Sequence, residues 1–400
     1  MGGSIMASTI NSDTSNGVVV TSDTSGEIEL QSAGVTKAKI TSSGLQNASG
    51  SAITSQAGRN LIINGNMAID QRGGTATINA TGVTYNVDRW LGRGVASAGV
   101  FTLAQDTTSP ANFTNSLKAT VTTADSSIAS GSSYRVQQMV EGYNIANLNW
   151  GTSDAQSVSL SFWVRSSQTG TFGGSVGNGD YNRFNVFSYT ISVANTWEYK
   201  TVTIAGDTSG TWATNQNLGL RLNFSLGAGS SILTSAGSWG SAVKEGVTGQ
   251  TNVIATSGAT FYVTGVQLET TTATPFEHLQ YGQQLALCQR YLQSSWSQGS
   301  AIGSAVSITT NSTQQSWGSN NAGIAGQAFL LPVTMRTSPT LVVYDMALNV
   351  GKVTTLGNGA AQINNVATNN SATTTNMFYV RMYANSKVGI VFAHTLTAEL

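Results

Sequence analysis

Two histidines, His278 and His394, and one cysteine, Cys288, are all that this 400-residue chain offers for the commonest kinds of nucleophilic or metal chemistry. A catalytic triad or a histidine-bound metal needs an imidazole beside a nucleophile or beside further ligands. His394 falls in phase with Val388, Ile390, Phe392 and Leu396 on one strand face, where a core or interface residue belongs. His278 follows Glu277 at the start of a helix-forming run, a place for capping or surface packing. No G-x-S-x-G, H-E-x-x-H or Walker sequence occurs. One cysteine excludes an intrachain disulfide framework and a thiolate zinc cluster, and Cys288 reads as a small buried hydrophobe.

Glycan cleavage by paired carboxylates requires only two acids across a groove. The acids from Asp70 to Glu277 are scattered, and their spacing pairs none of them. Asp88-Arg89, just before Trp90, reads as a turn or an ion pair. Were a structural calcium present, Asp180 and Asp207 would be its loop carboxylates. The expectation is therefore no catalytic set, no metal and no cofactor. Glycan binding asks for less: aromatic faces that stack on sugar rings, with amides or carboxylates nearby for the hydroxyls. Tyr181 in "GNGDYNRF", Trp212 in "GDTSGTW" and Trp239 in "SAGSWGS" lie in polar loops and are the exposed-aromatic, carbohydrate-binding candidates. Capping of a core or a subunit contact is the competing reading for each. Trp90, Trp150, Trp163 and Trp197 are assigned to packing.

These side chains need a scaffold, and the composition says which kind. Apolar residues make up 40% of the chain but charged residues only 9%, and the 18 Lys+Arg cancel the 18 Asp+Glu. No basic field exists to collect nucleic acid or an anionic membrane. Hydroxyls, amides and glycine supply the polarity, favouring short strands and turns, so the fold class is mostly β. The opening "MGGSIMASTINSDTS" has neither a basic stretch nor a long apolar one, and no segment approaches the ~18 apolar residues of a membrane span. Export through a signal sequence and membrane insertion are not expected; extracellular work would be reached by another route, such as cell lysis.

Four segments follow. Residues 1–60 carry apolar stubs (Val18 to Val20, Ile28 with Leu30, Val35 with Ile40) punctuated by Gly17, Gly26, Gly34 and Gly44. The stubs are too short to close a core within one chain. Either the segment is a disordered leader or several chains share the core; the recurrent alternation of isoleucine and leucine favours the second. In residues 61–276, "SVSLSFWVR" places Val158, Leu160, Phe162 and Val164 on one face, and "NLGLRLNFSL" does the same with Leu218, Leu220, Leu222, Phe224 and Leu226. Period-two alternation of this length marks sheets with one face buried and one facing solvent or ligand. A two-sheet jelly roll is expected. In "FYVTGVQLETTTATPFEH", Tyr262, Val266 and Leu268 point one way and Phe261 and Val263 the other, the pattern of a central strand apolar on both faces. Beyond Pro275, Leu285, Cys288 and Leu292 at helical spacing predict a connector helix within residues 277–296. Residues 297–400 return to strands as a smaller β domain, probed by "AFLLPVTM", "PTLVVYD", "MFYVRMY" and "VGIVFAHTL".

The stretches "RNLIINGNMAIDQRGG", "TYNVDRWLGRG", "VQQMVEGYNIANLNWGTSDAQSVSLSFWVRSSQTGTF", "NTWEYKTVTIAGDTSGTW", "FYVTGVQLE" and "PFEHLQYGQQLALCQRYLQ" come in this order over about residues 60–295. Together they resemble the tail-fibre-type virion proteins of tailed bacteriophages, particularly those of marine and cyanobacterial phages. The resemblance implies a carbohydrate-binding-module-like jelly roll, an intertwined homotrimer, an N-terminal segment attached to other virion proteins, outer domains facing the host and a virion location. It carries no catalytic set onto these positions. The expected function is non-enzymatic adsorption to host-surface polysaccharide through multivalent weak contacts. Two alternatives stand beside it: a glycan depolymerase, and a purely architectural head fibre or adaptor, since 400 residues make a stubby appendage.

Overall fold

Alternating apolar residues on two long strands set the architecture. Val158, Leu160, Phe162 and Val164 are fully buried, as are Leu220, Leu222, Phe224 and Leu226, and the rings of Phe162 and Phe224 meet edge to face at 5.0 Å between the layers. Each strand is thus half of a β-sandwich interface. In the computed structural model the residues described are 28–32, 35–41, 44–47, 58–79, 82–95, 98–270, 272–305, 313–317, 324–356, 363–367, 372–383 and 388–400. The stub Val18 to Val20, with Gly17, Gly26 and Gly34, lies outside them.

The chain divides into two compact units, Met1–Ala57 and Gly58–Leu400. In the first, β1 (Ile28–Ser32), β2 (Val35–Thr41) and β3 (Gly44–Asn47) form an antiparallel sheet in that order. Ile28 opposes Ile40 and Leu30 opposes Ala38, so these four share one face, on which Leu30 is 48% and Ile40 43% exposed.

The sandwich begins with β4 (Thr75–Ile78), β5 (Val83–Tyr85), β6 (Trp90–Val95), β7 (Val100–Asp106), β8 (Ser116–Thr123) and β9 (Ser133–Glu141). It continues with β10 (Val158–Ser166), β11 (Gly170–Asn178), β12 (Phe184–Ile191), β13 (Glu198–Ile204), β14 (Leu218–Ala228), the short β15 (Leu233–Thr234), β16 (Trp239–Gly240) and β17 (Gly246–Val247), and β18 (Thr260–Thr270). One sheet has the order β13-β10-β18-β8-β7-β4 and the other β16-β12-β11-β14-β9-β6-β5. Every pairing within them is antiparallel and the chain crosses repeatedly between layers, which is a jelly-roll β-sandwich.

β18 occupies a central place, third of six, but not for the reason its sequence suggests. Gly265 takes φ +60° and the register to β10 shifts between Trp163 and Ser161. The extra residue of this bulge returns Val266 and Leu268 to the face that already holds Phe261 and Val263, and all four sit in one core. The strand is therefore apolar on one face only. Its other face carries Tyr262, Thr264, Gln267 and Glu269, whose cross-strand partners on β8 and β10 are likewise polar or amphipathic: Lys118, Arg165, Trp163, Ser161 and Ser159.

A second correction concerns β14. Its polar face was expected to meet solvent or ligand, yet Arg221, Asn223 and Ser225 are buried at 6%, 1% and 2%. Asn223 donates to Ser175 Oγ at 2.8 Å, and Gln250, from the 246–252 region, donates to Ser225 Oγ at 2.8 Å. The segment from residue 230 to 250 covers part of this face.

The connector helix α1 (Tyr281–Gln289) opens on a capping box between Gln280 and Gln283. It stops before Leu292, which belongs to β19 (Leu292–Ser294) and pairs with Thr397. Leu285 and Cys288 pack with Ile63, Ile69 and Tyr291, and Cys288 is buried as expected, its thiol pushed well up by desolvation. None of the helices among the described residues is long and apolar enough to cross a membrane. The remaining strands are β20 (Thr313–Trp317), β21 (Ile324–Leu330), β22 (Thr340–Tyr344), β23 (Lys352–Leu356), β24 (Ile363–Ala367), β25 (Ala372–Thr373), β26 (Met377–Tyr383) and β27 (Val388–Thr397). β27 pairs with β19, β20, β22 and β23, and β26 pairs with β21 and β25. β21 ends at Leu330, ahead of Pro332, rather than running through "LPVTM".

Buried ion pairs join these strands to the sandwich. Glu141, closing β9, accepts from Arg290 Nε at 2.8 Å and Nη2 at 2.6 Å and from the Tyr291 hydroxyl at 2.7 Å. The Arg89 guanidinium lies 3.5 Å from the centre of the Tyr291 ring and pairs with Glu399, which also accepts from Arg72 Nη2 at 3.0 Å. Arg336 donates to the carbonyls of Ala398, Glu399 and Gln216. Asp88-Arg89 is indeed a turn, with Arg89 at φ +71°, and Asp88 accepts from the amide of Gln71.

Removing one member of a buried pair leaves an uncompensated charge, so Glu399→Ala is expected to cost about 3 kcal/mol of unfolding free energy in urea titrations. A loss below about 0.5 kcal/mol, the level of an ordinary surface change, would show that Arg89 finds its compensation elsewhere. His394 packs its ring against Phe378 at 4.8 Å and Phe392 at 6.0 Å, and burial holds its imidazole down at about 4. The unfolded chain takes up that proton near 6.5 while the folded one does not, so stability is fully present above 6.5 and lost as pH falls toward 4. His394→Phe is expected to flatten that slope of the urea midpoint against pH; an unchanged slope would assign it to other groups.

Candidate functional site

The bulge that reorders β18 also builds a site on the outer face of its sheet. Gln267 and Glu269 project outward from β18 yet are buried, because they hold down the segment that follows. Glu269 accepts from the Thr274 amide at 2.8 Å and its hydroxyl at 2.6 Å. The Gln267 side chain donates to the carbonyls of Thr274 and Pro275 at 3.2 and 3.3 Å and accepts from the Glu277 amide at 2.8 Å. Arg59 Nη2 donates to the Pro275 carbonyl at 2.7 Å. On the other side Thr264 Oγ1 donates to the Asn115 carbonyl at 2.8 Å and Ser109 Oγ to the Phe113 carbonyl at 2.7 Å, which fixes the loop that carries Phe113.

Between these two anchored loops runs a groove of about 640 Å³ lined by Trp163, Tyr199, Phe113, Gly265, Phe276 and His278, with Asn112, Thr274 and Pro275 at its walls. Trp163 and Tyr199, cross-strand partners on β10 and β13, have ring centres 5.4 Å apart. Phe113, Phe276 and His278 form a second cluster with centres 4.9 to 5.3 Å apart. Tyr199 is 45% exposed and His278 and Asn112 are exposed, so an apolar bed meets a few polar groups at its edge. That is the make-up of a small-molecule or saccharide site.

The aromatic residues singled out from sequence lie elsewhere. Trp212 is only 7% exposed and is not an open stacking face. Its ring meets Trp150 at 4.6 Å and Trp239 at 5.6 Å, and its Nε1 donates to Asp207 Oδ2 at 3.2 Å. Trp239 is half-buried, 5.3 Å from Trp150, and donates to the Ala205 carbonyl at 2.8 Å. Both therefore complete an edge-to-face tryptophan triad. Tyr181, at φ +57°, lays its ring 3.7 Å from the Arg221 guanidinium and accepts from Arg93 Nη1 at 2.5 Å. It lines a separate cavity with Arg93, Arg135 and Glu245.

Trp163, assigned to packing, does pack on Tyr199 but also lines this groove, and the alternation in "SVSLSFWVR" places it opposite the buried face. Trp90 and Trp150 are buried as assigned. Trp197 packs on Tyr262 at 6.1 Å, and that ring already carries Arg165 and Lys118 at 5.1 and 5.3 Å from its centre. Phe113, Phe276 and Tyr199 had no sequence signal beyond being aromatic.

Most of the carboxylates are committed to local structure, with Asp154 and Asp180 exposed at the surface. Asp207 takes a two-pronged pair with Arg183 at 2.7 and 2.5 Å, Glu245 pairs with Arg135, Asp106 with Lys118 and Asp125 with the Tyr134 hydroxyl. Glu277 accepts from the amides of Gly58 and Asn60. Asp88 is pushed up to about 7, chiefly by burial, and Asp70 also upward by burial. Among the described residues no three His, Cys, Asp or Glu side chains stand close enough to share a metal ion.

No family model matches the chain, and no curated protein matches it. Solved structures with partial likeness include the enzymatically active domain of tailspike protein 4 from bacteriophage CBA120 (13% identity, 53% of this chain and 22% of that one, TM-score 0.28). A family 4 carbohydrate-binding module aligns at 14% identity over 46% of this chain and 95% of its own, TM-score 0.25. The N-terminal CBM22-1–CBM22-2 tandem of Xyn10C from Paenibacillus barcinonensis aligns at 10% identity over 87% of this chain and all of its own, TM-score 0.25. This chain covers about a fifth of the tailspike domain. With TM-scores this low none of them bears on a site or a ligand, and the sandwich assignment rests on the strand pairing above.

Gly265 is the position on which the groove turns. A Cβ there would stand 2.7 Å from Phe113 Cζ and 3.2 Å from Trp163 Cδ1, at a φ that side chains avoid. Gly265→Ala is expected to cost on the order of 1–3 kcal/mol in chemical unfolding and to shift the tryptophan emission as Phe113 is displaced. A variant as stable as the parent, with unchanged emission, would mean that the bulge relaxes freely.

Proposed function

We propose that this protein is a non-enzymatic virion appendage of a tailed bacteriophage that binds host-surface polysaccharide, with the Trp163–Tyr199 groove as its saccharide site. The single observation behind the binding role is that Trp163, half-buried, and Tyr199, 45% exposed, border one open groove with Phe113, Phe276 and His278. Several rings elsewhere are engaged, Tyr181 by Arg221, Tyr262 by Arg165 and Lys118, Tyr291 by Arg89, and Trp212 and Trp239 by each other, whereas Tyr143 and Tyr281 are exposed without a second ring beside them among the described residues. A pyranose presents an apolar C–H face and a rim of hydroxyls, and a groove of this size with an apolar floor and Asn112 and His278 at its edge suits one or two such units. The chain's low charge agrees with a ligand read by stacking and neutral hydrogen bonds.

The virion role rests on the tail-fibre-like motifs of residues 60–295, and the trimer on the sheet β1–β3. Three strands with Leu30 and Ile40 nearly half exposed on one face lack a core of their own. Three chains that join these faces would bury them. They would also present three weak sites together, which raises avidity by orders of magnitude without a tight pocket. Attachment to other virion proteins through the N-terminal segment completes the reading. The engagement of most of the acids in local pairs favours adhesion over cleavage.

Trp163→Ala and Tyr199→Ala are each expected to weaken binding to host capsule or lipopolysaccharide glycans by about fivefold or more, read on immobilised polysaccharide, taking the about 1–3 kcal/mol of a nucleic-acid base stacked on an aromatic side chain as the scale. Unchanged binding in both would remove the groove from the account, and release of reducing ends by the parent protein would replace adhesion with cleavage. Light scattering of the intact chain is expected to give three times the chain mass, falling to one in the Leu30→Asp/Ile40→Asp double variant. A monomeric parent would sink the trimer.

A further inference from the structure

The outer face of the seven-stranded sheet holds a charge imbalance that the groove does not use. Arg93 on β6 and Arg135 on β9 stand directly opposite each other, and Arg221 on β14 opposes Met139, four positions along β9 from Arg135. Like charges placed opposite on neighbouring strands destabilise a sheet, and burial raises that cost. Yet Arg135 and Arg221 are only 2% and 6% exposed. Glu245 pairs with Arg135 and is the one carboxylate in an ion pair with any of the three among the described residues. Arg221 donates to the carbonyls of Asn178 and Gly179 at 3.3 and 2.9 Å and stacks on Tyr181. Arg93 donates to the Tyr181 hydroxyl at 2.5 Å, a neutral partner. Three cations against one anion leave a surplus of two positive charges.

Beside the surplus lies a cavity of about 290 Å³ whose lining includes Arg93, Arg135, Tyr181, Ser133 and Glu245. That is near the lower end of the ~300–1,000 Å³ of ligand pockets, room for one substituted sugar ring rather than a chain. Guanidinium groups match planar oxyanions through paired N–H donors, and Tyr181 and Ser133 add hydroxyls. We propose that this cavity is a second saccharide subsite that takes an acidic sugar, its carboxylate or sulfate ester bound by Arg93 with Arg135 and Arg221 supplying the field. The proposal takes from the reading above only that the ligands are glycans; the groove on the opposite sheet plays no part in it.

The test uses the full chain, calorimetric titration and three probes: trigalacturonate, inorganic sulfate and the neutral trisaccharide maltotriose. Trigalacturonate is expected to bind, to weaken as NaCl rises from about 0.05 to about 0.5 M, and to lose about tenfold or more in affinity in Arg93→Gln, since a hydrogen bond to a charged group contributes about 1.5–3 kcal/mol. Arg93→Lys, which keeps the charge without the fork, should fall between the two, and Arg165→Gln, the same charge change on the other sheet, should match the parent. Thermal unfolding of each variant, unchanged, separates loss of a ligand contact from loss of fold. A maltotriose affinity that Arg93→Gln weakens as much as it weakens that for trigalacturonate, or no effect of Arg93→Gln on trigalacturonate, would overturn the proposal. So would sulfate binding without trigalacturonate binding, which would make the site one for small anions. Neutral glycans test the groove and the acidic one tests this cavity, so either assignment can fail alone.

Discussion

A single extra residue in β18 decides what each face of the six-stranded sheet does. Strict alternation from Phe261 onward would turn Val266 and Leu268 out of the core and leave a gap between the layers. The left-handed backbone of Gly265 absorbs one residue, so Phe261, Val263, Val266 and Leu268 all point inward. The same step aims Gln267 and Glu269 outward, where they tie down residues 274–277. Since glycine has no Cβ, Phe113 and Trp163 can close over that point. Core packing and the groove are thus two results of one local conformation, and neither could be changed alone.

The few charges of this chain follow a related logic. A protein with 9% charged residues has little surface charge to spare for solubility or steering, and its hydroxyls and amides do that work. Several of the charges it keeps join separate segments of the chain. Glu141 with Arg290, Arg89 and Arg72 with Glu399, and Asp207 with Arg183 each link segments far apart in sequence or close a loop onto a strand. Buried pairs contribute little net stability against an apolar alternative, but they penalise wrong pairings strongly.

Legibility in the sequence followed the range of the interactions involved. Alternation in "SVSLSFWVR" and "NLGLRLNFSL" needs only neighbours on the same strand, so the sandwich, its core residues and the mostly-β class were readable. So were the turn at Asp88-Arg89, the single apolar helix and the packing roles of Cys288 and His394. The end of α1 was not, because Leu292 leaves the helix to pair with Thr397, more than a hundred residues away. Trp212 and Trp239 look exposed in their own polar loops, and only contact with Trp150 from a third loop buries or shields them. Trp163 differs in the opposite direction, packing on Tyr199 yet also lining the groove. Its own strand marked it as outward-facing, but what lies beyond that face comes from residues 109–115 and 273–278, which no local pattern connects to it.

This difference in range also explains why the two faces of the sandwich suit different ligands. On the six-stranded sheet the covering loops are held at their edges by Gln267, Glu269 and Thr264, which leaves an open lane with apolar walls between them. On the seven-stranded sheet the segment from residue 230 to 250 lies across the strands and brings Glu245 against Arg135, so burial there goes to charges and amides. Stacking tolerates any sugar that presents an apolar face, whereas a desolvated guanidinium cluster discriminates by charge. On the reading proposed above, the face built by stacking would supply general adhesion and the face built on buried cations would supply selectivity. A sandwich is able to carry both because its two outer faces are covered by unrelated stretches of chain.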